Sequence, residues 1–341
     1  MKLKISQIVL IYFIFFISFA NSGQSDASVQ NAFHWNKLIG RGINLGNALE
    51  APKEGDWGLR LEAEHFKLVA SKGFQSVRIP IRWSAHAQKQ APYTIDDKFF
   101  KRVDWAVKQA LDLNLVAIIN IHHYQEIMAS PEKHKARFLA FWKQISEHYA
   151  SHPETLYFEI LNEPSKKLTS EIWNDYLAEA ISIVRESNPN RAILVGPGHY
   201  NSLESLTKLK LPDDRKNLIV SFHYYEPFKF THQGAHWLGK KSNQWLGTTW
   251  DATYIERRAI TRSLNKAKTW ALKNKVPLHM GEFGVFEKAD MESRVRWTTF
   301  LREEAEKRRI SWSYWEFCRT FGIYDLDNNK WRKDLLEALQ P

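Results

Sequence analysis

The sequence predicts an α/β fold, a single (β/α)8 TIM barrel, on three observations. From residue 41 onward, short runs rich in Val, Ile and Phe alternate with longer stretches of helical period, the pattern of repeated βα units around a parallel sheet. Eight such runs are found, each followed by a helical stretch, which is the number that closes a barrel. No linker, internal repeat or low-complexity segment interrupts the chain between residues 31 and 341. A length of 341 residues suggests two domains by simple division, but one barrel commonly occupies about 250 residues or more. A doubly wound open sheet is the alternative, yet the Gly-rich phosphate turn expected after its first strand is missing.

In order, the strands are read at 41–46, 74–81, 115–123, 155–162, 191–196, 217–225, 276–282 and 310–317. Between them lie helical stretches near 61–72, 97–113, 133–150, 169–187, 251–274 and 290–308, a weaker one near 201–208, and a last one at 331–339. Ahead of the barrel, Lys2 and Lys4 precede an apolar run from Ile8 to Phe19 that ends in Ser18-Phe19-Ala20. This reads as a signal peptide over residues 1–20, because the apolar core is shorter than the roughly 20 residues a spanning helix needs. A Ser-, Asn-, Gln- and Gly-containing leader follows at 21–30. The expected destination is secreted or periplasmic, with no membrane attachment after cleavage.

Composition narrows the function. At 44% hydrophobic and 25% charged, with 14 Trp, 12 Tyr and 20 Phe, the chain is neither disordered nor collagenous and carries surplus aromatic rings. Cys318 is the only cysteine, so no intrachain disulfide can form and the fold must rest on its core. The formal charge of +10 alone would invite a nucleic-acid reading. Two of those charges belong to the leader, and no base-stacking or phosphate-binding motif accompanies the rest, so no nucleic-acid partner is expected.

Barrel chemistry sits at the C-terminal ends of the strands. There the sequence places Asn44 and Asn47, Arg78, His122 and His123, Asn162 and Glu163, His223 and Tyr225, Glu282, and Trp315. Two carboxylates, Glu163 and Glu282, therefore meet at one mouth from strands 4 and 7, each beside a Pro or Gly. Glycosidic bond cleavage needs such a pair: one protonates the leaving oxygen, the other attacks or stabilises the oxocarbenium-like centre. Glu159 shares a strand face with Glu163 but lies about 13 Å further down, so its expected role is structural.

These strand ends carry a resemblance. Gly42-Ile43-Asn44-Leu45-Gly46-Asn47, Val77-Arg78-Ile79-Pro80, Asn120-Ile121-His122-His123, Ile160-Leu161-Asn162-Glu163-Pro164, His223-Tyr224-Tyr225 and Gly281-Glu282-Phe283-Gly284 resemble, in order, the motifs of glycoside hydrolase family 5, the cellulase family. The segments 48–52 and 227–234 are similar to its bacterial endoglucanase and mannanase branch. The resemblance implies Glu163 as acid/base and Glu282 as nucleophile of a retaining double displacement. Arg78 and Tyr225 would keep Glu282 ionised, while Glu163 requires a raised pKa. Asn162 would bind the sugar 2-hydroxyl, and His122 and His223 would position the glutamates and sugar hydroxyls.

The 13 histidines do not imply a metal. Barrel metallohydrolases usually show His-x-His on the first strand, which here offers only Asn44 and Asn47, and the family resemblance implies no metal or cofactor. The loop 226–250 exceeds the roughly 12–15 residues beyond which loops are usually functional, and it holds His232, Trp237, Trp245 and Trp250. Trp237 and Trp315 are read as sugar-stacking platforms, and Trp245 and Trp250 as pins for the loop. Trp105, Trp142, Trp173, Trp270 and Trp297 lie at helical spacing and read as packing. Asn47, Glu50, His123 and His232 are assigned to more distant sugar subsites, mainly on the resemblance.

Two function classes follow. The leading one is an exported retaining endo-β-1,4-glucanase (cellulase), a monomer acting on a β-linked polysaccharide or oligosaccharide, with glucomannan as a further substrate and endo-β-1,4-mannanase as the alternative on the same site. The other is a non-catalytic carbohydrate-binding protein, which would require an incomplete carboxylate pair.

Overall fold

In the computed structural model, residues 31–213 and 215–341 are described. The expected leader segments at 1–20 and 21–30 lie outside them. Eight parallel strands close a barrel in sequence order: β1 (Arg41–Asn44), β2 (Ser76–Ile79), β3 (Val116–Asn120), β4 (Leu156–Glu159), β5 (Ile193–Val195), β6 (Leu218–His223), β7 (Leu278–Glu282) and β8 (Ser311–Tyr314). β1 pairs with both β2 and β8, which completes the ring. A two-stranded ribbon, β9 (Tyr324–Asp325) with β10 (Lys330–Trp331), follows β8.

The outer helices start where the sequence supplies caps. Asp96 accepts from Lys98 N ahead of helix Asp97–Asp112, Thr169 caps Ser170–Ser187, and Asp290 caps Met291–Lys307. Thr253 and Glu256 form a reciprocal capping box at the start of Tyr254–Asn274. In Asp97–Asp112 the buried stripe Phe99, Phe100, Val103, Ala106, Val107 and Ala110 follows the helical period and faces the sheet. Four buried indoles also tie this outer layer to the ends of the strands. Trp83 donates to Asn120 O, Trp142 to Ile160 O, Trp173 to Gly196 O and Trp297 to Glu226 O, at 2.9–3.0 Å. Trp142, Trp173 and Trp297 are buried as packing residues, and Trp105 and Trp270 are half-buried.

The sequence reading missed the helix at 31–39. It lies under the barrel, where Trp35, Leu38 and Ile39 pack on Val116, Ile118, Tyr157, Leu194 and Ile219 from the lower interior. Tyr157 donates to Trp35 O and Ser311 to Asn36 Oδ1. The weak helix expected near 201–208 is found as a 3-10 helix at Leu203–Lys208, entered through a left-handed turn with φ of 57°, 62° and 53° at His199, Tyr200 and Asn201. The loop 226–250 contains short helices at Phe228–Thr231 and Lys240–Asn243. No helix among the described residues is long and apolar enough to cross a membrane.

Candidate active site

The C-terminal mouth of the barrel opens into a cleft of about 550 Å3 lined by Asn47, His122, His123, Asn162, Glu163, Tyr225, His232, Trp237, Glu282 and Trp315. A larger hollow of about 750 Å3 lies around residues 33–41 and 306–312. Its ion pair, Arg41 with Glu306 at 2.8 Å, is already satisfied, and it gathers no comparable set of reactive groups.

Arg78, wholly buried, organises the cleft floor. Its Nε donates to Glu159 Oε2 at 2.7 Å, Nη1 to Asn44 Oδ1 at 2.7 Å and Glu282 Oε1 at 2.8 Å, and Nη2 to Asn162 Oδ1 at 2.7 Å. Glu159 is thus a buried counter-ion to Arg78. Because Asn162 spends its oxygen on Arg78, its amide nitrogen is left as a donor toward the cleft. Tyr225 donates its hydroxyl to Glu282 Oε2 at 2.9 Å, and burial first, then the neighbouring carboxylates, hold that phenol protonated. Glu282 therefore accepts a hydrogen bond on each oxygen and is fixed in orientation.

A register shift between Phe222 and His223 sets His223 opposite Glu282. Its Nδ1 lies 2.8 Å from Glu163 Oε1 and 3.6 Å from Glu282 Oε2. Burial disfavours the imidazolium, yet Glu282 and Glu163 outweigh it and raise the His223 pKa. Burial likewise pushes Glu163 up, but the hydrogen bond and charge of His223 bring it below the ordinary value. Glu282 ends above its ordinary value, because burial exceeds the pull of His223 and Arg78. The raised Glu163 pKa expected from sequence is thus not found; the His223 contact lowers it instead. Glu163, Glu282 and His223 bias one another's protonation, and the shortest path for a proton among them is the His223–Glu163 hydrogen bond.

Asn120, not assigned a role from sequence, donates to both Glu159 Oε2 and His122 Nδ1. That contact leaves the His122 Nε2–H to face the cleft, and burial keeps the ring neutral. His123 and His232 are also pushed down by burial, each to about 4. Glu163, His223 and Glu282 bring ligand-type atoms within 4.8 Å of one another. A cation there would displace the Glu163–His223 bond and sit against Arg78, so the donor set favours proton transfer over metal binding.

Two aromatic walls flank the floor. Trp315 stacks nearly parallel to His122, with centroids 5.9 Å apart, and lies over Gly46, where an added Cβ would sit 2.8 Å from the indole. Trp237, half-exposed, meets His232, Phe286 and Phe321 at the opposite side. Trp250 is wholly buried and Trp245 half-buried. Trp57, His236, Arg319, Thr320 and Phe321 also line the cleft; they lie in loops beyond the strand-end motifs, where no period or spacing marks them. One assignment is corrected. Glu50 is wholly buried, and its carboxylate accepts from Asn47 N and Ala48 N rather than lining the cleft. It holds the β1 loop that presents Asn47.

Comparison with known proteins adds the family. A profile described as "Cellulase (glycosyl hydrolase family 5)" matches residues 40–320. The chain belongs to this family. Among curated relatives, Endoglucanase H of Acetivibrio thermocellus is 35% identical over 321 residues, covering 92% of this chain and 34% of that protein. The chain thus spans about a third of that relative, and 53% of Endoglucanase 3 from Fibrobacter succinogenes. Thermotoga maritima Cel5A in complex with mannotriose is 51% identical with a TM-score of 0.89, covering 90% of this chain and 99% of that one. The same protein in complex with cellobiose matches with equal identity, TM-score and coverage. The family membership and the barrel agree with the expectations drawn from the strand-end motifs.

Proposed function

We propose that this protein is a retaining endo-β-1,4-glucanase that works outside the cytoplasm. The observation that carries the reading is the Glu163–Glu282 pair: both groups face one cleft, and their nearest oxygens lie within 4.8 Å of each other. That close approach supports the spacing of a retaining pair, about 5–5.5 Å, rather than the roughly 6.5–9.5 Å that leaves room for water in an inverting site. Export is supported by the Lys2-to-Ala20 pattern alone.

The geometry gives each residue a step. Glu282, oriented by Arg78 and Tyr225, attacks the anomeric carbon while Glu163 protonates the departing oxygen. The Glu163 side chain is 31% exposed before a sugar covers it. Excluding water from that face favours the neutral acid–imidazole pair over the ion pair, so the proton moves from His223 Nδ1 to Glu163. Glu163 then draws a proton from the water that releases the sugar from Glu282. The free amide nitrogen of Asn162 and the His122 Nε2–H point donors at the sugar bound beside the scissile bond.

Glucomannan and mannan form a second reading, supported by the relative that is found in complex with both mannotriose and cellobiose. A reducing-sugar assay on mixed-linkage glucan, carboxymethyl cellulose, glucomannan and mannan, with Glu282→Gln as control, tests both. Glucan turnover abolished in Glu282→Gln is the expected result. Turnover of mannan alone would replace the glucanase reading, and full activity in the variant would remove Glu282 as nucleophile.

A further inference from the structure

Among the residues lining the cleft, Arg319 supplies the one guanidinium. Glu163 and Glu282 occupy the floor, and burial holds His122, His123 and His232 toward the neutral form. Among the described residues, the Arg319 guanidinium has no hydrogen bond and no ion-pair partner. Its neighbouring carboxylate, Glu316, is wholly buried and already accepts from the backbone N–H groups of Cys318, Arg319 and Phe321. Burial, outweighing those bonds and the nearby charge of Arg319, pushes Glu316 up to about 7.

The side chain is nevertheless held in place. The Arg319 backbone is fixed at both ends, its N–H donating to Glu316 and its carbonyl accepting from Gly322 N. The guanidinium lies against Gly58, where an added Cβ would stand 2.5 Å from Nη2, and Gly58 has φ of +82°. A side chain at 58 would be strained by that φ and would push the guanidinium aside, so glycine here leaves the arginine its place against the loop after β1. The adjacent Trp57 is 37% exposed and meets His123 edge-on with centroids 5.3 Å apart. A sugar-sized aromatic edge and a fork of unspent donors therefore face the same end of the cleft.

A neutral glucan offers this fork only single hydroxyl contacts, whereas a carboxylate matches it with two parallel charge-assisted bonds. The chain's formal charge, +10 and still +8 once Lys2 and Lys4 leave with the expected signal peptide, would also concentrate anionic polymers around it. We propose that the cleft takes carboxylate-bearing β-1,4-glycans, with Arg319 pairing the carboxylate of a uronic-acid residue bound beside Trp57. This rests on the glycanase reading above and names the substrate class of that same site.

The test compares a neutral cello-oligosaccharide with its C6-oxidised, carboxylate-bearing counterpart, by turnover in the wild type, Arg319→Gln and Arg319→Lys. Calorimetric binding to the inactive Glu282→Gln, with and without Arg319→Gln, runs in parallel. The expected result is a wild-type preference for the charged sugar that weakens with salt. The charged-to-neutral ratio should fall about tenfold in Arg319→Gln, equivalent to about 1.4 kcal/mol, with part retained in Arg319→Lys. An unchanged ratio in Arg319→Gln, by turnover and by binding, or rejection of the carboxylated sugar by an enzyme that cleaves the neutral one, would overturn the proposal. Absence of wild-type turnover on both sugars would instead overturn the glycanase reading, while the binding ratio still decides the role of Arg319.

Discussion

Glu163 and Glu282 differ less in their own chemistry than in who holds their oxygens. Glu282 is gripped by Arg78 and Tyr225, whereas among the described residues Glu163 is hydrogen-bonded only to His223. Control of the mobile proton therefore passes to whatever supports the far side of His223. That group is Asn201, wholly buried, with its amide nitrogen 3.4 Å from His223 Nε2 and its oxygen without a partner. Gly196 makes the room, since a Cβ there would lie 2.4 Å from Asn201 Oδ1. An Asn201→Asp variant puts a carboxylate against Nε2, stabilises the imidazolium and raises the pKa of the shared proton. The alkaline limb of kcat should move to higher pH and kcat should drop about tenfold at neutral pH, since Glu163 receives the proton less readily. A pH–rate profile that superimposes on the wild type would assign Asn201 to packing alone. Both glutamates, Arg78, Asn162 and Tyr225 were legible in the sequence, because each ends a strand and the barrel sends strand ends to one place. Asn201 was not: it sits on a left-handed turn that no helical or strand period marks. Glu50 misled for the converse reason, since a carboxylate next to a strand-end motif reads the same whether it faces sugar or caps its own loop.

At the scale of elements, all eight strands and the principal outer helices follow from alternating apolar runs and helical stripes. The helix at 31–39 did not, because its apolar residues Trp35, Leu38 and Ile39 cover the barrel floor rather than continue a βα repeat. Trp142, Trp173 and Trp297 were legible as packing but not as staples; the hydrogen bond from Trp173 to Gly196 O is a tertiary fact. Replacing Trp173 by Phe removes that donor and leaves a buried carbonyl and a gap. We expect a loss of about 2–3 kcal/mol in stability, read as a lower denaturant midpoint with an unchanged slope. An unaltered midpoint would mean that the neighbouring chain closes over the gap.

For the whole molecule, buried titratable groups set opposite limits on stability. Burial, against backbone hydrogen bonds, raises Glu50 from 4.5 to about 8 and Glu316 from 4.5 to about 7. Their folded forms hold protons that the unfolded chain releases, so stability present at low pH is lost as pH rises through those values. Burial lowers His279 from 6.5 to about 3, so the folded chain resists a proton that the unfolded chain accepts, and stability falls as pH drops through that interval. Thermal midpoints should therefore decline on both sides of mildly acidic pH, and Glu50→Gln should flatten the alkaline decline. Equal alkaline slopes in the two proteins would contradict the Glu50 assignment. Charge acts at this scale too: the excess of cations that first suggested a nucleic-acid partner is, with Arg319 in the cleft, an argument about which glycans approach.

The central claim is that Glu282 becomes covalently bonded to sugar during turnover. Incubation with an activated, fluorinated cellobioside that forms the glycosyl-enzyme but hydrolyses it slowly, followed by peptide mass mapping, tests it most directly. The account predicts one added glycosyl unit, carried by the peptide containing Glu282 and absent from Glu282→Gln. Stoichiometric labelling on Glu163, or steady turnover of substrate with no labelled peptide under the same conditions, would contradict it.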